Sequence, residues 1–75
     1  MNRSHIGRYK TLGLNIAFYR KARELSQEQL AEMVNISQVH MSRIENASCA
    51  ASLDVVFALA DALSVEPYKL FQSKE

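Results

Sequence analysis

A chain of 75 residues and 8.5 kDa can form one small domain; at this size only about 60% of the unfolded surface becomes buried, so stability is thin or shared with a partner. The composition, 48% apolar and 23% charged, is that of a globular protein, and without a long apolar run or a signal-peptide pattern the expectation is a cytoplasmic protein with no membrane partner. The single Cys49 excludes an internal disulfide and fits a reducing compartment.

The net charge of +1 is unevenly spread. Residues 1–23 carry six bases and no acid, and residues 24–75 carry three bases and eight acids. A basic N-terminal part attracts a polyanion, although a basic tail can also serve solubility alone. Residues 1–10, MNRSHIGRYK, show no apolar period and are expected to form a flexible basic arm, with Thr11 capping the first helix. The predicted domain is 11–72, followed by a polar tail at 73–75. In the first helix Leu12, Ile16 and Tyr19 recur at helical spacing and should face the core, with Arg20 and Arg23 beside them. Leu14, Phe18 and Ala22 form a second stripe. A contact with a neighbouring helix is the favoured reading of that stripe; an exposed patch for a partner is the other.

The chain is organised around Ser26 to Asn46, SQEQLAEMVNISQVHMSRIEN. Ser26 and Gln29 have the spacing of a capping box, and Leu30, Ala31 and Val34 then share one face of a short helix ending near Val34. Only Asn35 and Ile36 separate it from a second helix capped by Ser37 and running to about Asn46. A link this short makes the helices cross steeply, as in a helix-turn-helix. Asn35 suits the turn because asparagine tolerates left-handed backbone.

At about 100° per residue, Met41 and Ile44 of the second helix fall on one side with Ser37 and should face the core. Val39, Ser42, Arg43 and Asn46 fall opposite, flanked by Gln38 and His40. Any solvated face carries such groups, but the inventory also suits a major groove: glutamine pairs with adenine, arginine with guanine, and valine touches a thymine methyl. Glu45 lies toward the core side, where a carboxylate needs a partner. Arg20 is the best-placed candidate by its face; the alternative is that Glu45 points to solvent.

Ala47 to Ala51 form a loop of small residues. Ser52 caps the next helix, LDVVFALADAL, with Asp54 in its first turn. Leu53, Val56, Phe57, Leu59, Ala60 and Leu63 wrap more than one of its faces, so it is a central strut or its outer side is a subunit interface. Ser64 to Glu66 turn the chain, and Pro67 opens a last short helix with Tyr68, Leu70 and Phe71 as apolar anchors. Leu70 and Phe71 are the candidate dimer-interface residues. The fold class is all-α, with five short helices.

LGLNIAFYRKARELSQEQLAEMVNISQVHMSRIENA and SLDVVFALADALSVEPYKLF together resemble the lambda-repressor/Cro-like helix-turn-helix domains over roughly Leu12 to Phe71. The resemblance implies a compact five-helix domain that binds operator DNA, usually as a dimer, with its first motif helix across the backbone and its second in the major groove. By position Gln27 matches a phosphate-holding residue; Gln38, Val39 and Ser42 match base-reading positions; His40 and Arg43 match flanking ones. Arg20 and Glu45 match a buried ion pair found in part of the family. The DNA-contacting candidates are therefore Gln27, Ser37, Gln38, Val39, His40, Ser42, Arg43 and Asn46. The chain departs from the family where Asn35 stands for a common glycine. It departs again at Ala47-Ser48-Cys49-Ala50-Ala51, where many members have glycine and then a base. Each lost phosphate contact lowers the salt slope of binding by about 1.

The function expected is a sequence-specific DNA-binding transcriptional regulator on a palindromic operator. The alternative is a protein-interaction module on the same fold, such as an antitoxin or anti-regulator. An enzyme has little support: no Ser/His/Asp or Cys/His grouping and no glycine-rich phosphate loop occur, and His5, His40 and Cys49 lack metal-ligand spacing. No cofactor, metal or small-molecule ligand is expected.

Overall fold

The computed structural model describes residues 1–73; the predicted polar tail falls, beyond Ser73, outside the described residues. Five α-helices follow a 3-10 turn at Arg3–His5: α1 Ile6–Ala22, α2 Gln27–Met33, α3 Gln38–Glu45, α4 Leu53–Leu63 and α5 Tyr68–Phe71. The described residues contain no strand. The molecule measures 30 × 25 × 19 Å. Its core is built from Leu12 and Ile16 of α1, Leu30 and Ala31 of α2, Met41 and Ile44 of α3, Val56, Leu59, Ala60 and Leu63 of α4, and Leu70 of α5.

The first helix starts earlier than the sequence suggests. Residues 6–10 form its first turns, and Thr11 lies inside it, its hydroxyl donating to the Gly7 carbonyl at 3.1 Å. His5 occupies the cap position without a side-chain cap bond. The second stripe of α1 is not covered by another helix: Leu14 is 69% exposed and Phe18 52%. The favoured reading of that stripe is thereby overturned.

Two buried residues of α1 do work that the periodicity did not disclose. Asn15 is 1% exposed, and its amide donates to the carbonyls of Leu70 (2.9 Å) and Gln72 (2.8 Å). It thereby satisfies the open end of α5, whose single turn cannot bond its own last carbonyls. Gly13 faces α3 so closely that a Cβ there would stand 2.2 Å from the Glu45 carbonyl oxygen. Hydrogen in place of a side chain is what lets α1 and α3 touch.

Four helices end in one device. Glu24, Asn35, Ala47 and Ser64 take positive φ, between 56° and 60°. After each, a paired set of bonds closes the helix: Leu25 N–H to Arg20 and Glu24 N–H to Lys21, Ile36 to Ala31 and Asn35 to Glu32, Ser48 to Arg43 and Ala47 to Ile44, Val65 to Ala60 and Ser64 to Asp61. This is the Schellman pattern. Glycine is its usual occupant because a Cβ is crowded in this conformation. Ser64 is exposed and its side chain makes no cap bond. Ser64→Gly is therefore expected to raise stability by about 1 kcal/mol, read as a higher urea midpoint at unchanged slope. A lowered midpoint would mean that the left-handed turn at Ser64 is absent in solution.

Candidate nucleic-acid interface

The motif is assembled by local chemistry at each boundary. Ser26 accepts from Gln29 N–H at 3.0 Å while the Gln29 amide oxygen accepts from Ser26 N–H at 2.8 Å, a complete capping box. Asn35 at φ 60° reverses the chain, and Ser37 accepts from His40 N–H at 3.0 Å to start α3. Leu30 and Ala31 on one helix, and Met41 and Ile44 on the other, are buried. Only four residues separate the helices, and those two apolar faces meet in the same core.

The side of α3 away from the core is open. Gln38, Val39, Arg43 and Asn46 are exposed, Val39 at 60%. His40 and Ser42 are half-buried at its edges. Ser37 is exposed rather than on the core side, and its hydroxyl oxygen is occupied by the helix cap. The outward row thus presents an amide, a small apolar group, a guanidinium and a second amide along about two turns.

Beneath this row lies a polar knot. Arg20 Nε donates to Glu45 Oε2 at 2.7 Å and Nη2 to Glu45 Oε1 at 3.0 Å, a two-pronged pair with side chains only 11% and 7% exposed. Arg20 Nη1 also donates to the Leu25 carbonyl at 2.9 Å. The arginine therefore ties the end of α1, the start of the motif and the last turn of α3 together. Sequence reasoning missed the third donor to Glu45: Gln27 Nε2, at 3.0 Å. Because Glu45 accepts, the glutamine must turn its NH2 group inward. One amide hydrogen is then committed to the carboxylate, so a phosphate at the start of α2 could take only the other. The signal for this was the position of Gln27 at the first residue of α2, but the end of α3 lies 18 positions away in sequence.

The loop after α3 is folded on itself. Ala47 is 5% exposed, Ser48 N–H donates to the Arg43 carbonyl at 2.8 Å, and the Ser48 hydroxyl donates to the Asn46 side chain. Ala47 takes the left-handed turn where many resembling domains use glycine. Leu70, offered above as an interface residue, is fully buried within the subunit and has no surface to give a partner. Phe71 is 50% exposed, as are Leu53 at 64% and Phe57 at 48% on α4. No helix among the described residues is long and apolar enough to cross a membrane.

Comparison with known proteins agrees with this arrangement. The helix-turn-helix family matches residues 16–70. The immunity repressor protein of Bacillus phage phi105 is 39% identical over 56 residues; the match covers 75% of this chain but only 39% of the repressor. Among solved structures, the restriction-modification controller protein C.AhdI from Aeromonas hydrophila superposes with a TM-score of 0.81 at 32% identity, over 84% of this chain and 96% of the controller. A hypothetical transcription factor, NHTF from Neisseria, reaches a TM-score of 0.86 at 25% identity, over 89% of this chain and 75% of its own. The chain is a member of the lambda-repressor/Cro-like helix-turn-helix family of DNA-binding transcriptional regulators.

Proposed function

We propose that this protein reads a palindromic DNA operator as a homodimer in the cytoplasm, with α3 in the major groove and α2 across the backbone. The observation that carries the reading is the outward row Gln38, Val39, Arg43 and Asn46 on a helix whose other side is locked in the core. Gln38 can pair with adenine, Arg43 with guanine and Val39 with a thymine methyl. Ser42 and His40 flank them, and Ser37 and Gln27 stand where the two helix starts approach phosphates. The base-free loop after α3 gives little phosphate grip, so binding by one subunit is weak and dimerisation supplies the rest. Phe71, with Leu53 and Phe57, is the apolar surface that a two-fold partner would cover. No cofactor or small ligand enters this scheme.

Selection of bound sequences from random DNA at two salt concentrations tests it. A palindromic consensus with half-sites about 34 Å apart is expected; absence of any enriched sequence at either salt would overturn the reading. Arg43→Ala should weaken binding to the selected operator by about 1–3 kcal/mol and relax preference at one base pair. An equal loss on every sequence would reduce Arg43 to a phosphate contact. A second reading, a protein-interaction module on this fold, draws on the exposed Leu14 and Phe18. Failure of the selection would favour it.

A further inference from the structure

Two outward faces of the fold are complementary in charge. On α1, Leu14 and Phe18 are 69% and 52% exposed, and Lys10 and Lys21 are exposed beside them. Lys10, Leu14 and Lys21 lie within about 40° on the helix, with Phe18 about 40° further round. Residues 1–23 contain no acid, so this face is apolar and basic. On α2, Glu28 and Glu32 are exposed about 40° apart, with Gln29 and Met33 beyond them on the same side. Met33 is 55% exposed, and Gln29, Glu32 and Met33 line a shallow cleft. The ion pair found among the described residues is Arg20 with Glu45; the two lysines and two glutamates are not joined to one another within the subunit.

We propose that the outer face of α1 in one copy docks on the outer face of α2 in a second copy. This head-to-tail contact is separate from the two-fold pairing through α4 and α5, and it does not depend on DNA. The charges decide the pairing. Laying α1 on a second α1 sets lysine against lysine, and α2 on α2 sets glutamate against glutamate. Only α1 on α2 brings opposite charges together. In an antiparallel approach the lysine edge and the glutamate edge fall on the same side. Phe18 then seats in the cleft against Met33, a favourable sulfur–aromatic contact, and Lys21 lies over Glu32 and Glu28. Gly13 and Arg20, which face α3, are about 100–160° round α1 from Leu14 and Phe18. In the copy that contributes α1, the contact therefore leaves the outward row of α3 open. Being heterologous, it can add copies one after another, and a patch this small makes it weak and salt-sensitive.

Sedimentation of the full chain across a concentration series, at low and high salt, tests the contact. Species larger than a dimer are expected at low salt and should diminish at high salt. Lys21→Glu and Glu32→Lys should each lower the association constant at least about fivefold, and the double variant should associate better than either, short of the parent because Glu28 then faces a like charge. Phe18→Ser should lose the larger species while melting as a folded domain. The proposal is overturned if nothing beyond a dimer forms, if the larger species ignore these changes, or if the charge-swapped double variant associates no better than either single one.

Discussion

Gly13→Ala is expected to destabilise the fold by about 2–3 kcal/mol, although alanine is the better helix former. Helix propensity alone favours the substitution by about 1 kcal/mol. Packing decides the sign. The new methyl carbon would lie 2.2 Å from the Glu45 carbonyl oxygen, and 2.7 Å from both the Glu45 carbonyl carbon and the Ile44 carbonyl oxygen. All three atoms are backbone at the end of α3, so no rotamer change relieves the clash. Glu45 is itself held by Arg20 and Gln27, which keeps that turn from sliding away. The helices must separate by about 1 Å, loosening Ile16 and Ile44 in the core, and overpacking of this kind costs about 1–3 kcal/mol or more. Against a total stability of about 4–11 kcal/mol for a chain this long, the loss is large.

Gly7 in the same helix provides the control. It is exposed, with nothing within 4 Å of a Cβ built there, so Gly7→Ala should stabilise by about 0.5 kcal/mol. Urea unfolding of the two variants should therefore shift in opposite directions. Equal shifts of the same sign would mean that α1 and α3 do not approach as closely as this. On the proposed function, a folded Gly13→Ala protein should also bind DNA less well, because the same backbone contact sets the position of α3 against the rest of the domain.

Gly13 also marks the boundary of what the sequence could disclose. The capping box at Ser26 and Gln29, the cap at Ser37 and the turn at Asn35 need only near neighbours, and so the motif could be read from residues a few positions apart. Gly13 and Asn15 depend on atoms 32 and 55 positions away, and no local pattern carries that information. Within α1 a glycine reads as a weak point and an asparagine as a surface residue; each is buried because another helix end is there. The Leu14–Phe18 stripe shows the same limit from the other side. Helical spacing established that the two residues share a face, but not whether a neighbour covers it. In α5 a single turn is too short for periodicity to separate the inward Leu70 from the outward Phe71. Gln27 was assigned by resemblance to a phosphate contact, while its amide in this chain is also drawn to Glu45. The early start of α1 was hidden by a first turn without an acid or a side-chain cap.

Arg20→Ala is expected to cost about 3–5 kcal/mol, the largest single loss on the motif, because it strands a carboxylate whose side chain is 7% exposed. The arginine makes three hydrogen bonds, two to Glu45 and one to the Leu25 carbonyl, and water cannot readily replace them at that depth. Gln27 remains, but a single neutral donor does not balance the charge. For a domain of this size the melting temperature should fall by about 12–20 °C or more. Arg20→Lys should recover only part of this, since an ammonium cannot span both carboxylate oxygens while also reaching Leu25. Replacing both partners with apolar residues, as in Arg20→Met with Glu45→Leu, should be much less harmful than Arg20→Ala, because no unpaired charge is left buried. That comparison separates stability from recognition. If the knot only holds the fold, the double variant binds the operator as the parent does once both are folded. If it also aims α2, the double variant stays folded but binds more weakly, since Gln27 loses the carboxylate that orients its amide. An Arg20→Ala protein of normal stability that fails to bind DNA would overturn the structural role altogether and make the guanidinium a DNA contact.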